Sequence, residues 1–524
     1  MKTIEELKEH FPNIEFSDKY LEILNYIRND ENCKVSIQGN AGSGKSTILK
    51  IINYMFSDDV ENKRMNIAIA SSTGVASALL NNGTDLGATT IHSLFKLRPQ
   101  DIFGSFEQGK SYSQLDLISN IDCLIIDEIS MVSADLFDYI MSIIRYCRHG
   151  APTRIILFGD CLQLQCVVKT DDAKVKDYYD YQYGGNLEFF SSHAFKDMKF
   201  ATFLLTKIYR QTSDEEGEKF KDILNRIRVC KQTEEDLDYL NQRVISEDDY
   251  ILQNESFLRI VSTNKDVQKY NQIALDSIEG KYVSFEAKIS GNFRETTEFK
   301  NGFYPERIMV KIGCSVMITR NGQKNEDGTY DYYNGSMGIL TACDENGEWA
   351  EVELSDGKLV RVERSVTNNY EYEVNHDGNQ SIVTSRITGS YDNVMIKPCS
   401  ACTVFKTQGL TLNNGYIDFG WWVPDSGIYV ALSRFRSIKD FGLRKPIKMK
   451  DIHATEESLK YVGEAEYTES IFNDLFGDEE SNDDEKAKKF FEKKSKFESF
   501  LKENNIVFKN GKWIDNDSGL EIVK

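Results

Sequence analysis

Nine consecutive residues, GNAGSGKST from Gly39 to Thr47, have the types and spacing to hold a triphosphate. The run matches G-x-x-x-x-G-K-[ST], a turn in which Gly39, Asn40, Ala41, Gly42, Ser43 and Gly44 present backbone N–H groups to phosphate oxygens. Lys45 would reach the β- and γ-phosphates, Ser46 would give its hydroxyl to Mg²⁺, and Thr47 opens a helix whose N-terminus adds partial positive charge. LIIDEIS, residues 124–130, is an apolar run ending in two carboxylates. Asp127 would hold the Mg²⁺ shell, and Glu128 would orient and deprotonate the attacking water. Gln163, in LFGDCLQLQCV, could sense the γ-phosphate from a third such run, although an amide at a strand end is more often an ordinary turn residue. Phosphoryl transfer spreads charge over the γ oxygens, which an arginine can neutralise. Arg210 in LTKIYRQ and Arg434 in YVALSRFRS each follow an apolar segment. Together these groups describe ATP hydrolysis.

Such residues need a scaffold that brings strand ends together. Short β-branched runs alternating with amphipathic helical patterns predict a parallel sheet wound with helices. Strands are expected at 34–38, 66–71, 122–127, 154–158 and 200–205, with helices over 47–56 and 134–146. A second α/β block begins near Asp214, includes RIVS at 259–262 and DVQKYNQIAL, breaks off, and resumes near Met395. Between its parts, WAEVEL and LVRVER alternate among Gly, Asn and Asp, which predicts an inserted β domain. Beyond 450 come an acidic stretch, a charged helical pattern at 485–503 and IVFKNGKWID, which reads as a hairpin.

At 524 residues the chain exceeds one hydrophobic core, and 40 % hydrophobic content supports several. The sequence lacks an apolar run of membrane-spanning length and a signal-type start, so a soluble, intracellular, cytoplasmic protein is expected, without a membrane partner. Ten scattered cysteines suit a reducing compartment, and Cys399 with Cys402 has no second pair at zinc-ribbon spacing. The net charge of −20 is unusual for a nucleic-acid binder, but residues 464–485 hold ten acidic residues and no basic one, half of the imbalance. A nucleic-acid track would therefore be a local groove using backbone and aromatic contacts.

The motifs IIDEISM, GDCLQL, LTKIYRQ, STNKDVQKYN, ACTVFKTQGLTL and YVALSRFRS follow GNAGSGKST in an order that resembles the superfamily 1 helicases of the 5′-to-3′ subgroup, of the Dda, RecD and Pif types. The likeness spans roughly residues 15–445. It implies an α/β fold of two tandem RecA-like P-loop domains, with ATP in the cleft and Gly409 beside it, and a small β-barrel (Src-homology-three-like) inserted in the second. The implied divisions are 1–213 with a pin hairpin at about 97–118, 214–278, the barrel at 279–392 and 393–450; beyond the likeness, composition and charge mark an acidic linker at 451–484 and a small C-terminal tail module at 485–524. The implied single-stranded DNA contacts are Ser72, Thr73 and Gly74, Thr90 and His92, Thr263 and Asn264, Asn334 and Ser336, and Thr407 and Gln408, with Phe106 as the wedge at a duplex junction. Each has an ordinary alternative, such as a capping or core role for His92.

Three positions depart from the family pattern. Tyr20 stands where a Gln usually reads adenine, Gln165 and Cys166 replace a Pro, and Phe405 replaces a His. The resemblance implies a DNA helicase moving 5′-to-3′ in replication, recombination or repair. An RNA-directed motor, or an ATPase that times partner recruitment through its tail, shares the same chemistry. Within that tail, Phe472, Leu475 and Phe476 of SIFNDLFGDEE sit among acids and could dock on a replication or recombination protein, or pack on the second motor domain. Seven prolines and a richness in Asn, Lys and Ile suit an AT-rich genome such as a phage's, which would place the protein in a host cytoplasm.

Overall fold

The computed structural model describes residues 2–57, 65–72, 76–77, 80, 86–95, 97, 118–168, 170–212, 214–253, 257–296, 299, 304–320, 322–323, 331–332, 335–354, 357–377, 380–465, 506–509 and 512–515. Six parallel strands form the sheet of the first lobe: β1 (Lys34–Gly39), β2 (Ile67–Ser71), β3 (Thr89–Thr90), β4 (Cys123–Asp127), β5 (Arg154–Gly159) and β6 (Ala201–Leu205), in the order β3-β2-β4-β5-β1-β6. The run CLIID of β4 is apolar without alternation because both sheet faces are covered. Leu124 and Ile126 enter one core, with Phe137 and Ile140 of helix Ala134–Arg148, while Cys123 and Ile125 enter the other, with Ile48 and Ile52 of helix Lys45–Phe56.

The second lobe is built on four parallel strands. β7 (Leu258–Val261) is the earliest in the chain, and the other three strands of its sheet come after the inserted domain. That domain holds β8 (Val283–Glu286), β9 (Lys288–Gly291), β10 (Arg307–Val310), β11 (Ser315–Ile318), β12 (Met337–Cys343), β13 (Trp349–Leu354), β14 (Leu359–Asp377), β15 (Gln380–Val394) and β16 (Ile396–Pro398). A seven-stranded antiparallel sheet, β16-β11-β12-β13-β14-β15-β9, and the pair β10-β8 enclose Phe285, Val310, Val316, Leu340, Val352 and Val362. The chain then returns through β17 (Ala401–Thr403), β18 (Gly415–Asp418) and β19 (Phe441–Leu443), giving the order β17-β7-β18-β19.

Two boundaries differ from expectation. The insertion does not end at 392, because β16 still pairs with β11 and Ile396 is buried in the barrel core. From Cys399 onward the apolar residues turn to the second lobe. The segment from 451 is not wholly a linker either, since residues 456–465 are helical. Val462 of that helix is 2 % exposed in the first lobe's core, and Tyr461 stacks on Phe190 with centroids 4.5 Å apart. The alternation of LVRVER continues into a far longer hairpin, β14 with β15. A hairpin also forms from Ile506–Lys509 and Lys512–Asp515. The charged helical pattern at 485–503, the apolar residues Phe472, Leu475 and Phe476, the pin at 99–115 with Phe106, and Thr73, Gly74 and Asn334 lie outside the described residues.

Candidate functional site

The phosphate-binding loop leaves β1 at Gly39 and enters helix Lys45–Phe56 at Gly44. Gly42 and Gly44 have φ of +77° and +86°, a left-handed backbone that other residues adopt only with strain. A Cβ on Gly42 would lie 2.5 Å from the Cβ of Arg210, and one on Gly44 would lie 2.2 Å from the Tyr20 hydroxyl. No side chain caps the helix start, so its N–H groups face the loop. Lys45 Nζ donates to the carbonyls of Gly39 at 2.7 Å and Asn40 at 3.0 Å. Burial lowers its pKa, opposed by the carboxylates of Asp160, Glu128 and Asp127.

Both lobes contribute to one cleft of roughly 570 Å³. From the first come residues 41–47, Glu128, Gln163 and Arg210; from the second, Gly409, Thr411, Arg434 and Arg436. Arg434 is 1 % exposed, and its guanidinium donates to the Val430 carbonyl at 2.9 Å and the Ser433 hydroxyl at 2.8 Å. Arg210 Nη1 donates to the Ser433 carbonyl at 2.9 Å. Burial, then each other's charge in the case of Arg434, pushes both guanidinium pKa values down. Buried Arg434 and half-buried Arg210 in one cleft form a site for a multiply charged anion.

Glu128 sits at the end of β4 with φ 53°, a left-handed turn that directs its carboxylate into the cleft. Its Oε2 accepts from Gln408 Nε2 at 2.9 Å. Asp127, one residue back, is buried, and burial followed by the Glu128 charge pushes its pKa up to about 7. Gln163 Nε2 donates to Asp160 at 3.3 Å, while Gln163 Oε1, Gln408 Oε1 and Ser43 Oγ are buried without a partner. Exposed Ser46 and half-buried Thr47 complete the lining. Orphaned polar atoms, glycine cradles and two cleft arginines fit a nucleotide triphosphate, and the hydroxyl and carboxylate oxygens of Ser46 and Asp127 are the donor type Mg²⁺ takes.

Sequence reasoning missed the residues that lock the lobes together beneath the cleft. Asp160 is fully buried and accepts from Arg228 of the second lobe, Nη2 to Oδ1 at 2.9 Å. Burial would raise its pKa, but the Arg228 guanidinium outweighs that and holds it below the usual carboxylate range. Tyr429 bridges the same carboxylate, at 3.3 Å, to the backbone N–H of Ala41, at 3.0 Å. Asn40 Nδ2 donates to Asn225 at 2.7 Å. An aspartate directly after the apolar run of β5 was the available signal.

The expected strand contacts divide. Ser72 leaves β2 beside Asp127, and Thr90, with His92 following, leaves β3 at the same sheet edge. Thr90 Oγ1 caps the helix that His92 enters, accepting from Ser93 N at 3.1 Å, and burial lowers the His92 pKa. Thr263 caps helix Asn264–Ser277 where β7 ends, Asn264 is exposed, and Ser336 is half-buried just before β12. Thr407 and Gln408 do not belong with them. Both are buried, Thr407 bonding to the Val404 carbonyl at 2.7 Å and Gln408 to Glu128, because the turn after β17 faces the cleft.

The three departures have structural consequences. The Tyr20 hydroxyl donates to the Gly44 carbonyl at 3.1 Å, and burial raises its pKa to about 12. Gln165 donates to the carbonyl of Cys161 and to Ser458 Oγ at 3.0 Å, which ties a turn without proline to the helix at 456–465. Phe405 packs against the second lobe's core. Cys399 and Cys402 are buried free thiols, with no metal-binding cluster among the described residues. No described helix is long and apolar enough to cross a membrane.

Residues 13–238 match the family model of the PIF1-like helicases. The ATP-dependent DNA helicase Pif1 of Bdellovibrio bacteriovorus is 27 % identical over 439 residues, covering 82 % of this chain and 88 % of that protein. PIF1 of Saccharomyces cerevisiae is 30 % identical over 339 residues, covering 60 % of this chain and 34 % of that protein. Bacteroides Pif1 bound to single-stranded DNA superposes with a TM-score of 0.67 at 27 % identity, covering 87 % of this chain and 98 % of that one. The same protein with ADP-AlF3 and single-stranded DNA gives 0.66 at 27 % identity, covering 86 % and 97 %. A likeness of this extent runs through both lobes and the insertion: this chain is similar to the Pif1-type DNA helicases over most of its length.

Proposed function

We propose that this protein hydrolyses ATP to step 5′-to-3′ along single-stranded DNA and to open the duplex ahead of it, in DNA replication, recombination or repair. The observation that carries the reading is the meeting of Arg210 and Arg434, 224 positions apart in the chain, in the cleft that holds Lys45 and Glu128. Lys45 and the N–H groups of the loop would bind the β- and γ-phosphates, and Glu128 would take the proton of the attacking water. Ser46 and Asp127 would hold Mg²⁺, which when bound neutralises phosphate charge. Arg210 and Arg434 would stabilise the charge that builds on the γ oxygens. Since Arg434 belongs to the second lobe, triphosphate draws that lobe inward, and hydrolysis removes the charge that holds it. Ser72, Thr90 and His92 on one lobe and Thr263 and Asn264 on the other would then grip the strand alternately.

Duplexes with a 5′ or a 3′ single-stranded tail test the proposal, with Lys45→Ala as the inactive control. Unwinding is expected only with ATP and only from the 5′ tail; unwinding from the 3′ tail alone, or without ATP, overturns it. Stimulation of ATP turnover by DNA but not by the matching RNA separates a DNA motor from an RNA-directed one.

A further inference from the structure

The loop after β18, GWWVP, exposes two adjacent tryptophans, with Trp421 93 % and Trp422 41 % accessible. Indole is costly to leave in water, and most exposed apolar residues on a motor of this size are smaller. The loop is also held firmly. Phe419 and Val423 are buried at its two ends, the Gly420 carbonyl accepts from Lys445 Nζ, and the Trp422 carbonyl accepts from Ser262 Oγ at 2.6 Å. Its place follows from the sheet register. Asp418 pairs with Val261, so residues 419–422 leave the same edge as Ser262, Thr263 and Asn264. Of the carboxylates nearby, Asp418 is bonded to Arg259 and Arg444, Asp425 lies 2.6 Å from His453 Nδ1, and Asp266 accepts from the Thr263 hydroxyl at 2.6 Å. Exposed Lys265 and Lys445 add positive charge to this edge.

We propose that Trp421 is a base-stacking platform for the single strand, next to the backbone grip of Thr263 and Asn264. An aromatic ring on a tethered loop pays little entropy on stacking and accepts any base, as a sequence-independent motor requires. A protein surface docking on the same indole is the competing occupant. The inference rests on the strand-binding reading above, and the test distinguishes failure of the two.

Fluorescence anisotropy would measure the affinity of the full chain for an oligothymidylate and for an otherwise identical strand containing abasic sites. Trp421→Ala should weaken binding of the intact strand about ten-fold, whereas Trp421→Phe should retain most of it. Wild type should lose affinity on the abasic strand, and Trp421→Ala should no longer distinguish the two strands. ATP turnover without DNA should be the same in all variants. If wild type binds no strand at all, the motor reading itself fails. If it binds and Trp421→Ala binds equally well, or if that variant changes only self-association, the stacking platform is refuted while the motor reading stands.

Discussion

Arg434 gives the sharpest test at the level of single residues. Its guanidinium is buried and hydrogen-bonded only to neutral groups, with the Glu128 and Asp160 carboxylates near enough to favour its charge. Arg434→Ala should lower the kcat for ATP by roughly 10³-fold or more while changing nucleotide affinity far less, as single-turnover rates and nucleotide Kd would report. Comparable losses in both would make it an ordinary binding residue. Gln408 makes a second test, because it bonds to Glu128 instead of facing a strand. Gln408→Ala should reduce kcat and leave the Kd for single-stranded DNA within about two-fold. A large loss of strand affinity would return Gln408 to the strand.

Among the elements, the seam between β5 and the helix Glu215–Arg228 depends on Asp160 and Arg228, both buried. Removing one partner of a buried pair costs about 3–5 kcal/mol, since the other is left uncompensated. Arg228→Ala should therefore lower the thermal midpoint clearly. The pair also has a pH signature. The folded Asp160 pKa lies below its unfolded value near 3.9, so the unfolded chain binds the proton first as pH falls. The stabilisation is fully present above about pH 5 and is lost as pH falls below 4 through the folded pKa. Asp160→Asn should flatten that acid limb in pH-dependent denaturation; an unchanged slope would show that the pair contributes nothing.

For the molecule as a whole, the helix at 456–465 returns from the second lobe and seats Val462 and Tyr461 on the first. Burial of an aliphatic side chain and an aromatic stack is worth about 2–4 kcal/mol. A chain ending at 465 should keep the thermal midpoint and the unwinding rate of the full chain. One ending at 455 should lose several degrees, and Phe190 would be left uncovered. Equal stability of the two would mean that the helix does not strap the lobes. Survival of unwinding in the chain ending at 465 would also count against a motor that acts only as a recruitment switch.

The local parts of this protein are legible in its residues because their causes are local. The glycines of the phosphate loop, the apolar runs that end at Asp127 and Gly159, and the alternation in WAEVEL report backbone and burial requirements within a few positions. The order of the motifs was equally plain. Partnership across the cleft was not, because Asp160 with Arg228, Gln408 with Glu128 and Tyr429 with Ala41 are each separated by between 68 and 388 positions. Nothing in local periodicity distinguishes a glutamine that faces a strand from one that faces a carboxylate. The docking of 456–465 was hidden for the same reason: an acidic stretch reads as solvated until a complementary apolar surface, assembled from distant helices, is there to receive Val462. Sequence determined which groups are present and in what order; packing of the two lobes decided which of them touch, since contact energy depends on distance in space and not along the chain.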